Sequence, residues 1–398
     1  MESSKKWDLA SISTIPLTMT LANSMLIPVL PEIQKKLLIS PFQASLIITV
    51  YAAVSIFFIP VAGYLSDRYG RKIVILPGLM IVAIAGGAAG WASVAMDKPY
   101  PVIIGARLLQ GLGAAGCFPV VFPLVGDLFK REEDVSSGLG IVETSNTFGK
   151  VLSPILGSLL GLWAWYMPFW AIPVFSLLSF VMVAFLVKKP KVDDEREPLH
   201  PRQFLKSIGD LFRKRGRWLY GILVIGGISM FLLFGALFYL SESLEDRGMH
   251  GVTKGLVLAV PLAVLCTAAY LTGRWIGDSK VRMKWISTIG LAIATGALVV
   301  IAVAASQSTW WLIGMLAVCV LGLGAALPCL DALLTESIGK EQRGTVTSIY
   351  SSMRFIGVAS GPPAGALLMK SSMETLFFVL AASCALACLL VLFTIRPK

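Results

Sequence analysis

Charge is scarce in this sequence: Asp, Glu, Lys and Arg make up 14% of the 398 residues, against about a quarter in an ordinary soluble domain. Histidine is nearly missing, with His200 and His250 alone. No stretch reads G-x-x-x-x-G-K-[ST], so the backbone cradle for phosphates that an ATP-driven pump needs is absent. No polar stretch is long enough for a second, soluble domain, and no nucleophile stands with a base and an orienting acid, so there is no catalytic residue to name. An enzyme is not expected. The six cysteines, Cys117, Cys266, Cys319, Cys329, Cys384 and Cys388, all fall in apolar runs without a His or carboxylate at ligand spacing. They read as packing residues, and neither metal nor cofactor is expected.

What is abundant is apolar surface, 56% of residues, gathered into runs of roughly 20, enough at 1.5 Å per residue to cross about 30 Å of hydrocarbon. The runs are predicted at 9–30, 43–65, 73–93, 102–124, 137–160, 165–186, 218–240, 256–273, 285–304, 310–333, 345–368 and 375–395. In a bilayer only helices and closed barrels satisfy the backbone, and these continuous runs lack the alternation of barrel strands. The expectation is an all-α integral membrane protein of twelve transmembrane helices. Its first run ends in Pro28, Val29, Leu30, Pro31 rather than at a small-residue cleavage site, and reads as a retained helix.

The formal charge of +11 raises the question of nucleic acid. With the N-terminus placed inside, however, most of the 34 Lys and Arg fall in loops on the cytoplasmic side. This is the positive-inside bias, which predicts a multi-pass protein of the cell membrane with both termini cytoplasmic and no nucleic-acid partner. The one long polar stretch, from Lys188 to Arg217, divides the chain into expected domains at 1–187 and 218–398, joined by a cytoplasmic linker at 188–217. Within it Phe204 to Phe212 fits either a short amphipathic helix on the inner membrane surface or a solvated connection. Oligomeric state is not encoded in any motif, and a monomer is the expectation.

Two segments repeat at an offset of 208 residues: Gly149-Lys-Val-Leu-Ser153-Pro154-Ile-Leu-Gly157 in the fifth run, and Gly357-Val-Ala-Ser-Gly361-Pro-Pro-Ala-Gly365 in the eleventh. Small residues four apart on one helix face, with a proline to bend it, permit close approach of a second helix. Equivalent helices in two halves imply a pseudo-twofold transporter with its site between them.

The loop after the second run reads Gly63-Tyr-Leu-Ser-Asp67-Arg68-Tyr-Gly70-Arg71-Lys72. It resembles, position for position, the loop signature of the major facilitator superfamily. Arg107 to Ala115, Arg-Leu-Leu-Gln-Gly-Leu-Gly-Ala-Ala, resembles a signature of that superfamily's twelve-helix drug:proton antiporters. Gly140, Gly149, Ser153, Pro154 and Gly157 resemble the antiporter motif of the fifth helix, with Ser153, Ser158 and Lys150 departing from it, and the second-half loop Gly273 to Lys284 keeps Asp278 without the full signature. The resemblance implies the major facilitator fold, no cofactor beyond the proton gradient as energy source, and a conformational switch at Gly63, Asp67, Arg68, Gly70 and Arg71. In it Asp67 meets the start of the eleventh helix near residues 344–346; pairing of Asp67 with Arg68 or Arg71 is the plainer alternative.

Four charges lie well inside the predicted runs: Arg107, Glu143, Lys150 and Arg354. Each costs about 2.5–3.5 kcal/mol on insertion scales unless it faces a cavity or partner. Glu143, Asn146 and Lys150 share one stripe of the fifth run, and Glu143 is the only acid at depth. Glu143, Lys150 and Arg107 are therefore the proton-coupling candidates, against a static clamp for the first two and a packing role for Arg107. Three bases to one acid predict a net positive interior, and Arg354 has no motif to explain it. Asn23, Phe118, Asn146, Phe231, Phe234, Tyr350 and Arg354 are the substrate-pocket candidates. The function expected is proton-coupled export of drugs or similar amphipathic compounds by alternating access. Alternatives are a dedicated transporter of one metabolite (a siderophore, sugar or amino-acid derivative), a lipid flippase or a membrane receptor.

Overall fold

The computed structural model describes residues 3–129, 132–187, 201–277, 279–304, 308–336 and 340–395; Asp278 and residues 188–200 of the linker lie outside these. Two of the twelve runs are broken helices. The first is α1 (Ser3–Ser24), a 3-10 turn (Ile27–Val29) and α2 (Leu30–Leu37). Pro28 and Pro31 bring no N–H to the ladder, so the helix cannot run on to residue 30 as one piece. The fourth is α5 (Tyr100–Ala115) and α6 (Phe118–Leu128), parted at Gly116 and Cys117. In hydrocarbon the carbonyls freed at a break need donors. Arg107 Nη1 donates to Ala22 O at 2.9 Å, and Ser241 Oγ donates to Ile27 O at 2.9 Å.

The other ten are continuous: α3 (Pro41–Tyr69), α4 (Arg71–Ala95), α7 (Glu132–Gly161), α8 (Met167–Leu186), α9 (Pro201–Asp246), α10 (Gly251–Trp275), α11 (Lys280–Ala304), α12 (Thr309–Glu336), α13 (Lys340–Leu368) and α14 (Met373–Thr394). Among the described residues there is no strand. Ten stretches of the described residues are long and apolar enough to cross a membrane. The two crossings not among them are α7 and α13, whose polar and small residues lower their hydropathy. Residues 201–217 continue into the seventh crossing as one helix, not a separate helix lying on the surface.

Sequence chemistry sets the helix ends. Ser40 accepts from Gln43 N at 3.2 Å while the Gln43 side chain accepts from Ser40 N at 2.8 Å, with Pro41 at the first helical position. That capping box starts α3. Gly70, at φ +102°, supplies the reversal between α3 and α4 that a side chain would strain.

Packing repeats between the halves. α7 lies against α1 of its own half and α10 of the other; α13 lies against α9 of its own half and α3 of the other. A Cβ on Gly157 would stand 2.0 Å from Met25 O, and one on Gly357 2.0 Å from Gly227 O, so both contacts require glycine. Lys72 Nζ donates to Ala184 O and Val187 O at 2.7 and 2.8 Å, capping α8. Lys284 Nζ donates to Leu392 O at 3.0 Å and does the same for α14. A cation at a helix C-terminus also suits the dipole.

Candidate functional site

The break after α1 and the Pro154 bend in α7 border a small cavity where the halves meet. Ser24 and Ile27 line it from the break, Lys150 and Pro154 from α7, Phe234 from α9, and Leu258 from α10. Both halves therefore own its walls.

On the α7 stripe, Glu143 Oε1 accepts from Asn146 Nδ2 at 3.0 Å, and Asn146 Oδ1 accepts from Thr20 Oγ1 of α1 at 2.6 Å. Lys150 follows one turn on and is buried. In the second half Arg354 Nη1 stands 3.9 Å from Asp331 Oδ1, with its guanidinium 5.6 Å from the Tyr350 ring centre. Arg354, Glu143 and Asp331 all act electrostatically on Lys150. Two expectations are corrected. Asp331 is a second embedded acid, because α12 runs on to Glu336 and leaves it inside the helix. The embedded charges accordingly number three bases to two acids, still net positive, and Arg354 has an acidic neighbour.

Among the described residues Arg107 pairs with none of these charges. Wholly buried, it donates from Nε to Ile47 O (2.7 Å), from Nη1 to Ala22 O (2.9 Å) and Gln110 Oε1 (2.6 Å), and from Nη2 to Asn23 Oδ1 (2.6 Å). It also lies over the Tyr51 ring at 4.5 Å. These bonds tie α1, α3 and α5 together and occupy Asn23. Phe118 meets Phe122 edge to face at 5.6 Å. Phe231 contributes backbone to the α9–α13 contact, since Cβ atoms on Gly357 and Gly361 would meet its N and O at 2.7 and 2.9 Å. Of the predicted pocket residues, Phe234 lines the cavity, while Asn146, Tyr350 and Arg354 belong to the polar cluster. Gly149 lies beside Leu17 and Thr20 of α1, Ser153 donates to Gly149 O at 2.5 Å, and nothing approaches Gly140.

At the Gly70 turn, Arg71 pairs with Asp67 and with Asp127, the latter at 3.1 Å, and donates to Ser66 Oγ at 2.7 Å. Arg68 Nη1 donates to Tyr64 Oη at 3.3 Å. α13 begins at Lys340, a turn before the expected 344–346, so the free N–H groups of its first turn lie earlier than expected. Gly63 approaches α13 at Ser348, whose Oγ would be 3.6 Å from a Cβ there.

A second polar cluster closes the opposite side, and the sequence reading missed it. Gln34 Nε2 donates to Glu242 Oε1 at 2.5 Å, and Lys35 pairs with Glu245 at 2.8 Å, both bonds joining α2 to α9 across the halves. Glu245 also holds His250 at 3.0 Å and the buried Lys254 at 3.1 Å. The predicted runs stopped at 240 and resumed at 256, which put these groups in a loop. The i, i+3 pair Glu242 and Glu245 before a nearby lysine was the available signal.

Comparison with known proteins accords with this geometry. The family model described as Major Facilitator Superfamily matches residues 12–362 and 284–398. A bacillibactin exporter of Bacillus subtilis (strain 168) is 50% identical over 394 residues, 98% of this chain and 97% of that protein. A class C tetracycline resistance protein of Escherichia coli is 24% identical over 92% of this chain and 91% of its own length. Among solved structures, a human organic anion transporter superposes with a TM-score of 0.76 at 19% identity, covering 98% of this chain and all (100%) of that one. Fold, loop signature, repeated halves and a family match over nearly the whole length lead to one conclusion: the chain belongs to the major facilitator superfamily of membrane transporters.

Proposed function

We propose that this transporter exports a siderophore, as the Bacillus subtilis relative does by its name, and draws on the proton gradient to do so. The observation that carries the reading is 50% identity extending over 98% of the chain. The charge bias of the loops supports placing the Gly70 turn and both termini in the cytoplasm. On that orientation the Glu245 cluster is the outer closure, and alternating access proceeds by rocking the halves about the α3–α13 and α7–α10 contacts. Arg107, saturated by its own helices, acts as a structural tie, and Glu143 is the coupling carboxyl.

The reading is tested in proteoliposomes with an imposed pH gradient, using bacillibactin beside a panel of cationic and neutral drugs. Uphill movement of bacillibactin that collapses with the gradient is the expected result. Movement of the drugs alone would replace the siderophore reading by multidrug efflux.

The Gly70 loop sets the speed of the cycle. Asp67→Asn removes an exposed ion pair to Arg71, worth up to about 1 kcal/mol, and Asp127 still holds Arg71. A several-fold slower flux with unchanged membrane yield is expected from initial-rate measurements. A wild-type rate would mean that the Asp67 pair does not bias the conformational equilibrium.

A further inference from the structure

The cavity holds one buried cation in a wall of hydrocarbon. Lys150 is only 9% exposed, and among the described residues no carboxylate stands within ion-pair distance of its ammonium and no acceptor takes a hydrogen bond from it. Beside it in the wall are Pro154, Phe234, Leu258, Leu262 and Ser24. The charged groups that reach it, Glu143, Asp331 and Arg354, pull in opposite senses and leave its charge without a dedicated counter-ion. An ammonium in low-dielectric surroundings is costly unless something supplies negative charge. The stripe below it is already committed: Asn146 bonds Glu143 and Thr20. Arg354 has Asp331. Among the described residues Lys150 is the one cation of the cavity wall, and its ammonium is uncommitted.

We propose that Lys150 anchors an anion subsite, binding a carboxylate or phenolate oxygen of an amphipathic solute whose apolar body lies on Phe234 and Leu258. The subsite rests on the transport reading above and names the chemical class it accepts. A point-charge donor with three rotatable N–H groups suits acidic oxygens in varied geometry, without the planar match an arginine would impose. The apolar remainder of the wall supplies affinity without further specificity.

The test is equilibrium binding to the purified full chain, followed calorimetrically, of 1-naphthoate and of 1-naphthamide, which share shape and differ in charge. Wild-type protein is expected to bind the acid at least about tenfold more tightly, a free-energy difference of about 1.4 kcal/mol. Lys150→Met is expected to erase that preference, and Lys150→Arg to keep most of it. Equal affinity of the wild type for both probes overturns the subsite without recourse to any variant, and so does a preference that survives in monodisperse Lys150→Met. Bacillibactin flux is measured separately in proteoliposomes. Acid preference without flux overturns the transport reading alone, and flux without acid preference overturns the subsite alone.

Discussion

Glu143→Gln is expected to abolish accumulation of substrate against its gradient while binding and downhill exchange survive. Glu143 lies half-buried on the α7 stripe, and its Oε1 accepts from Asn146 at 3.0 Å. Among the described residues no cation stands within ion-pair distance of it. Glutamine keeps the size and that acceptor but cannot take up and release a proton, so the variant separates coupling from architecture. The measurement is the final ratio of internal to external substrate in vesicles with an imposed pH gradient. Wild-type protein should hold a sustained ratio, and the variant should reach only equality. If accumulation persists, Asp331 becomes the carboxyl to replace, since it is the other embedded acid of the cluster. If binding and folding vanish together, Glu143 is a static clamp between α7 and its neighbours.

Arg107→Met is expected to leave little folded protein. The guanidinium makes four hydrogen bonds in a fully buried position, to Ile47 O, Ala22 O, Gln110 Oε1 and Asn23 Oδ1. Methionine fills much of the volume and satisfies none of them. Each buried acceptor left bare costs about 1–3 kcal/mol. That is a large part of a total stability of about 5–15 kcal/mol. Ala22 is the most exposed to the loss, because its carbonyl sits in the last turn of α1, just before the break, where the helix offers no replacement donor. The expected readouts are a sharp fall in monodisperse yield from detergent and a thermal midpoint lowered by many degrees. Lys at this position brings three donors from one point instead of a planar fork of five, so it should recover part of the stability only. A monodisperse, thermally normal Arg107→Met that no longer couples transport to protons would instead return Arg107 to the proton pathway.

Ten of the crossings were legible in the sequence because a run of roughly 20 apolar residues with almost no charge has no other stable form in hydrocarbon, and the more polar α7 and α13 through their repeated glycine segments. Family membership was legible for a related reason. The segment Gly63 to Lys72 needs small residues at close contacts and a reversal at Gly70, and those demands leave a recognisable string. The offset of 208 residues between the glycine segments likewise anticipated that α7 and α13 would pack on equivalent neighbours.

Partnership among the charges was not legible, since it depends on which faces of separate helices meet. Arg107, Glu143 and Lys150 look alike in the sequence as charges in apolar runs. Only the tertiary structure separates a guanidinium saturated by α1, α3 and α5 from a carboxyl held by one amide and an ammonium facing a cavity. The Glu245 cluster was missed because hydropathy ends a run where polarity begins, whereas a helix continues while its backbone bonds continue. Asp331 fell inside the predicted run 310–333, and what the sequence did not show was its place beside Arg354. The sequence by itself determined the twelve crossings, the two halves' repeated glycine segments and the family, because backbone satisfaction in lipid and close helix contact are local demands. Only the tertiary structure decided which charge faces which, because Coulomb and hydrogen-bond energies depend on distances between segments far apart in the chain, 210 residues in the case of Lys35 and Glu245.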